Sequence, residues 1–181
     1  TEQIIPFLQK RFPDLKQRET RIIRTSGLGE SVLNDKIKTF ILSHQELNIG
    51  IYATPEDIQI QLNVLADTTA EAKTMLDEAT KQLKELLGDY IFGYDQDSLE
   101  GVIGNMLREK GLTLAVAESC TGGMLGEMIT TVPGSSDYFK GGIISYSGEI
   151  KEKLLGVPSA LLREFGEVSE PVARAMAEGV R

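Results

Sequence analysis

Two hydroxyls and the chain's only thiol fall side by side at Ser119-Cys120-Thr121, with Glu118 directly before them and Gly122-Gly123 directly after. A hydroxyl or thiol attacks an acyl or phosphoryl centre once a base takes its proton. The usual base is missing. The single histidine, His44, sits in the first half beside the end of a helical pattern, as a surface residue would, so no Ser-His-Asp triad can be assembled. What remains is Tyr146-Ser147-Gly148-Glu149-Ile150-Lys151. A lysine desolvated at a sheet edge can lose its charge and act as a base, directly or through a tyrosine. Plainer readings stand beside these. Ser119 and Thr121 suit the capping of a helix. Lys151 suits a solvated helix start, and Cys120, with no histidine to make a thiolate, suits a small buried filler.

The flanking pattern decides what could position such groups. Leu112 to Ala117 is almost wholly apolar, like a strand covered on both faces. Met124, Leu125, Met128, Ile129 and Val132 follow at helical spacing. Gly142 to Tyr146 reads as the next strand, and Ile150, Leu154 and Leu155 as the next helix. Strands alternating with helices predict parallel pairing through right-handed crossovers, which puts Ser119 and Tyr146 at the same carboxyl edge. Open α/β sheets bind ligands at that edge. The helix start after Ser119 offers free backbone N–H groups suited to phosphate or an oxyanion. We therefore expect Ser119 Oγ within hydrogen-bond reach of Tyr146 or Lys151. Ser169-Glu170-Pro171 predicts the start of a last helix, Val172 to Val180. Two β-α units make a poor sheet, so this domain reads as unfinished.

The first half has a different rhythm. A short helix over Ile4–Phe12 leads into a strand at Thr20–Thr25 and a helix marked by Leu33, Ile37, Phe40 and Ile41. Strands at Ile49–Ala53 and Ile58–Leu65 flank the turn residues Thr54-Pro55-Glu56-Asp57. Thr68-Thr69-Ala70-Glu71 fits a capping box for a helix with a stripe from Ala72 to Leu87, ended by Gly88. Tyr90–Tyr94 supplies a last strand, giving β-α-β-β-α-β. The polar run Asp95-Gln96-Asp97-Ser98 marks the boundary, and Leu99 to Leu107 a helix ending at Gly111. The predicted organisation is thus an α+β domain over 1–97, with 1–17 a linker helix, and a partial three-layer α/β/α domain with a parallel sheet over 98–181.

Composition narrows the classes. At 181 residues and 41% hydrophobic, with no long apolar run, the chain is expected to be soluble and not to span a membrane, which takes ~20 apolar residues. TEQIIPFLQKRF lacks a signal-peptide layout. One cysteine excludes an internal disulfide and a cysteine-based zinc cluster and suits a reducing cytoplasm. Net charge is −8: 11 basic and 17 acidic residues over 1–100, 8 and 10 over 101–181. That balance disfavours nucleic acid, whose binding depends on neutralising phosphates.

Taken as ordered blocks, the second half resembles the C-terminal domain of the CinA family. The blocks are Ala117 to Gly123, Val132-Pro133-Gly134-Ser135-Ser136, Phe139, Gly141-Gly142, Tyr146-Ser147, Lys151, Leu155-Gly156-Val157 and Gly166 to Ala173. The first half is similar to that family's KH-like middle domain at Arg24-Thr25, Gly27 to Ser31, Tyr52-Ala53 and Gly88 to Gly93. The family includes nicotinamide mononucleotide deamidases, which release ammonia and nicotinate mononucleotide. The resemblance implies Ser119 as nucleophile, activated by Tyr146 and Lys151. Backbone groups of Thr121, Gly122 and Gly123 would hold an oxyanion or phosphate, and Ser135 and Ser136 would contact phosphate or ribose. It implies no metal and no cofactor. Gly148 departs from the family pattern, which usually has a polar residue there. Family members also carry a domain before the middle one and continue beyond the position of Arg181. The chain is therefore expected to be the centre of a longer protein, to form homo-oligomers, a dimer first, and to turn over slowly alone. An interaction module in competence machinery is the alternative expectation.

Overall fold

Alternation of apolar and polar residues builds the first sheet. Ile60, Leu62, Val64 and Ala66 point one way from one strand while Gln59, Gln61 and Asn63 point the other, so one face must be covered. Two amphipathic helices cover it, through Leu33, Ile37 and Phe40 of the first and Ala72, Leu76, Ala79, Leu83 and Leu87 of the second. The computed structural model describes Ile4, Phe7, Arg11 and residues 16–181. The helix expected over Ile4–Phe12 otherwise lies outside the described residues. The chain divides into two units, Thr1–Asp97 and Ser98–Arg181.

The first unit runs β1 (Gln17–Thr25), α1 (Glu30–Ser43), β2 (Asn48–Ala53), β3 (Ile58–Ala66), α2 (Thr69–Leu87), β4 (Ile91–Tyr94). Its antiparallel sheet has the order β2-β3-β1-β4. Thr68 caps α2 by accepting the Glu71 N–H at 3.1 Å, and Glu71 accepts back from Asp67 rather than from Thr68, one residue off the expected capping box. Arg24 ties the sheet's corner together, donating to Asp57 at 2.5 Å and to the Asp97 carbonyl. Burial would push the Asp57 carboxyl up, but hydrogen bonds from Arg24, Thr54 and Gln59 and the Arg24 charge hold it below the usual carboxylate range. His44 ends α1, stacked on Phe40 with Nδ1 2.9 Å from the Phe40 carbonyl oxygen.

The second unit runs α3 (Leu99–Lys110), β5 (Leu114–Glu118), α4 (Met124–Thr130), β6 (Phe139–Ile144), α5 (Gly148–Leu155), α6 (Ser159–Phe165), α7 (Glu170–Val180). β5 and β6 are parallel. Leu114 and Val116 pack against Leu107 of α3 and Ile129 of α4, while Ala117 and Ile143 pack against Leu155, Val172 and Met176, so helices cover both faces. β6 starts three residues earlier than expected and stops at Ile144. The register shifts between Leu114 and Ala115, and Gly142 lies so close to β5 that a Cβ there would meet Val116 Cγ2 at 2.7 Å. Helix α6 was not expected. Its signal, Pro158 before Leu161, Leu162 and Phe165, is a single apolar turn, too short to stand out as a periodic stripe.

Candidate active site

Strand geometry separates the two groups at the tip of β5. Glu118 shares a face with Val116 and so points toward α4, and it is 4% exposed. Its carboxylate accepts backbone N–H groups from Gly123 (3.1 Å), Leu125 (3.0 Å) and Gly126 (2.8 Å). Burial would push this carboxyl up. The hydrogen bonds from Gly126, the Thr121 hydroxyl, Leu125 and Gly123 outweigh that and hold it below the usual range. Gly122 (φ 62°) and Gly123 (φ 105°) supply the left-handed turn that swings these N–H groups onto the carboxylate. Neither Ser119 nor Thr121 caps α4 through its side chain, because Gly123 is the capping residue and Glu118 takes the helix's free donors.

Two corrections to the sequence reading follow. The Gly122 and Gly123 N–H groups do not face a ligand, since the first donates to the Ser119 carbonyl and the second to Glu118. The N–H groups of Cys120 and Thr121 have no hydrogen-bond partner among the described residues and are the free donors of the turn. Ser135 and Ser136 are not brought to this edge either. They precede Phe139, which pairs with Leu114 at the amino end of β5, whereas Ser119 follows its carboxyl end. Across five strand residues that is on the order of 15 Å.

Lys151 is delivered by α5. Side chains on a helix lean toward its N-terminus, and from the first turn of α5 that direction leads to the carbonyls leaving β6. Lys151 is 1% exposed, and its Nζ donates to the Ser145 carbonyl at 2.8 Å and the Tyr146 carbonyl at 3.2 Å. The third neighbour is Ser119 Oγ at 3.2 Å. Ser145 locks the two strand ends, its N–H donating to the Glu118 carbonyl at 2.7 Å. Tyr146 contributes only its backbone. Its side chain is 76% exposed and its hydroxyl has no partner among the described residues. Cys120 is exposed, not a buried filler.

A cleft of about 580 Å³ opens beside Ser119, lined by the turn, Leu125, residues 167–170, Ala173 and Met176. Glu167 comes from the loop before α7, with its Oε2 3.7 Å from Lys151 Nζ. Sequence reasoning missed Glu118 and Glu167. The first was legible in principle from β5 alternation; the second has no spacing signal, because it lies 16 residues past the lysine it meets. Among the described residues no cluster of His, Cys, Asp and Glu could hold a metal ion, and no helix is long and apolar enough to cross a membrane.

An antiparallel α+β unit is thus followed by a parallel α/β unit that presents a serine against a buried lysine at its carboxyl edge. Residues 20–93 match the damage-inducible protein CinA KH domain and residues 96–181 the CinA C-terminal domain. The chain belongs to the CinA family. A CinA-like protein of Dictyoglomus turgidum is 42% identical over 89% of this chain and 39% of its own length, and one of Gloeothece citriformis 41% identical over 98% and 42%. The solved competence/damage inducible protein CihA from Agrobacterium tumefaciens is 36% identical, covering 45% of this chain and 50% of that one, with a TM-score of 0.45. The chain spans about two-fifths of the length of the curated relatives it matches.

Proposed function

We propose that this site hydrolyses a carboxamide through a covalent acyl-serine, and that its substrate is nicotinamide mononucleotide. The observation that carries the chemistry is Lys151 Nζ, buried and 3.2 Å from Ser119 Oγ. A neutral lysine has two N–H groups and one lone pair. In this structure Nζ donates to Ser119 Oγ as well as to the Ser145 and Tyr146 carbonyls; in the reacting form the two carbonyls keep its two N–H groups and the lone pair takes the place of the donor toward Ser119. As Oγ bonds to the carboxamide carbon, its proton passes to Nζ, and the oxyanion is held by the free Cys120 and Thr121 N–H groups. Lys151 then returns the proton to the departing nitrogen, and ammonia leaves. Water, deprotonated by the same amine, cleaves the ester to give nicotinate mononucleotide and free Ser119.

The substrate rests on the family resemblance. The apolar wall of Leu125, Ala173 and Met176 suits the flat pyridine ring, while the Ser-Lys pair by itself selects only an acyl centre. The test is ammonia release from nicotinamide mononucleotide, in this chain and in a version lengthened to the span of its relatives. Release that disappears in Ser119→Ala and in Lys151→Met supports the reading. Release that survives Ser119→Ala refutes the nucleophile, and no release from either version favours an interaction role.

A further inference from the structure

We infer that Glu167 is a positioning residue for Lys151 and that Gly148 is present to let it reach. The inference rests on the Ser119–Lys151 reading and goes one group further. Lys151 acquires a positive charge at the moment it takes the proton from Ser119. Its two carbonyl partners are dipoles, and they cannot neutralise that charge. Among the described residues one carboxylate lies within ion-pair distance of Nζ, that of Glu167 at 3.7 Å. The other nearby carboxylate, Glu118, is turned away and fully engaged with α4. An anion placed where charge develops favours the transition state over the ground state.

The second observation is independent of that distance. Gly148 opens α5, and its φ is not in the left-handed region, so its backbone does not demand glycine. Its neighbours do. A Cβ at 148 would meet Glu167 Oε1 at 2.9 Å and Cδ at 3.3 Å. The atoms in the way belong to the tip of a half-exposed, flexible side chain, so a methyl group there would displace the carboxylate without disturbing the fold. The one visible consequence of glycine at 148 is room for Glu167 beside Lys151.

The test needs no natural substrate. A fluorophosphonate forms an O–P bond with Ser119 Oγ, fluoride leaves, and the Oγ proton goes to Lys151. The adduct is counted by peptide mass spectrometry, and its rate is followed against probe concentration. Because Glu167 is half exposed, the expected effect is moderate: Glu167→Gln should lower the saturated labelling rate about five-fold, leaving the half-saturating concentration within about two-fold. Gly148→Ala should give the same fall, and the double variant no more than either single one, since both remove one contact. Circular dichroism confirms that each variant is folded. Labelling at the wild-type rate in Glu167→Gln, or additive losses in the double variant, overturns this inference while leaving the nucleophile in place. No adduct on Ser119 in the unaltered chain, or undiminished labelling in Lys151→Met, overturns the Ser-Lys reading and this inference with it.

Discussion

Glu118→Gln should loosen the turn that carries Ser119. The carboxylate accepts three backbone N–H bonds through two oxygens, Gly123 and Leu125 on Oε2 and Gly126 on Oε1. A bond to a charged acceptor contributes about 1.5–3 kcal/mol and a neutral one about 0.5–1.5, so losing the charge costs about 1 kcal/mol for each N–H. The amide must also turn its NH2 group toward one of these donors. Relief of the buried charge offsets part of this, and the expected net loss is about 2–4 kcal/mol. The assay is amide hydrogen exchange at Leu125 and Gly126 together with urea denaturation, at neutral and acid pH. Because the Glu118 carboxyl is depressed in the folded chain, its contribution is complete above the ordinary glutamate value of about 4.3 and is lost as pH falls through the lower folded value. The gap between the natural chain and the variant should therefore be widest near neutrality and close in strong acid. Equal protection of Leu125 and Gly126 at neutral pH, or a gap that does not change with pH, would refute the role given to Glu118.

Three further outcomes are expected. Gly179→Ala should destabilise the second unit by about 2 kcal/mol despite alanine's better helix propensity, because the added methyl overlaps the Leu155 carbonyl oxygen, a backbone atom that cannot step aside; a rise in urea midpoint contradicts this. Asp57→Ala should cost the first unit about 3 kcal/mol at neutral pH by leaving Arg24 partly buried and unpaired, and less in acid, where the carboxylate's contribution is lost; thermal unfolding at two pH values reads it. Tyr146→Phe should keep most of the Ser119 labelling rate, since the hydroxyl is exposed and has no partner among the described residues; a loss as deep as that of Lys151→Met would restore Tyr146 as the activator.

What the sequence discloses follows from the range of the forces involved. Periodicity is local, so the four strands and two α-helices described over residues 17–94 and the alternation of strand and helix in the second unit are legible from it. The meeting of Ser119 with Lys151 is legible too, because both motifs directly follow consecutive strands. A block in a family pattern carries no sheet direction, but the predicted parallel pairing does: Ser135 and Ser136 precede the second strand and so fall at the amino end, opposite Ser119, as the pairing of β5 with β6 shows. The turn's free N–H groups are assigned correctly only when Glu118 is read with Val116 on the buried face of β5, where its carboxylate takes the first donors of α4, rather than with the exposed turn that follows it. Glu167 meets Lys151 through the packing of the loop before α7, which no short-range pattern encodes.

The central claim is that Ser119, activated by Lys151, becomes acylated. Its most direct test is peptide mapping after incubation with nicotinamide mononucleotide and an acid quench. A pyridine-3-carbonyl nucleotide ester is expected on Ser119 and is expected to be absent from Lys151→Met. The same adduct on Cys120, or steady ammonia release by Ser119→Ala, would contradict it.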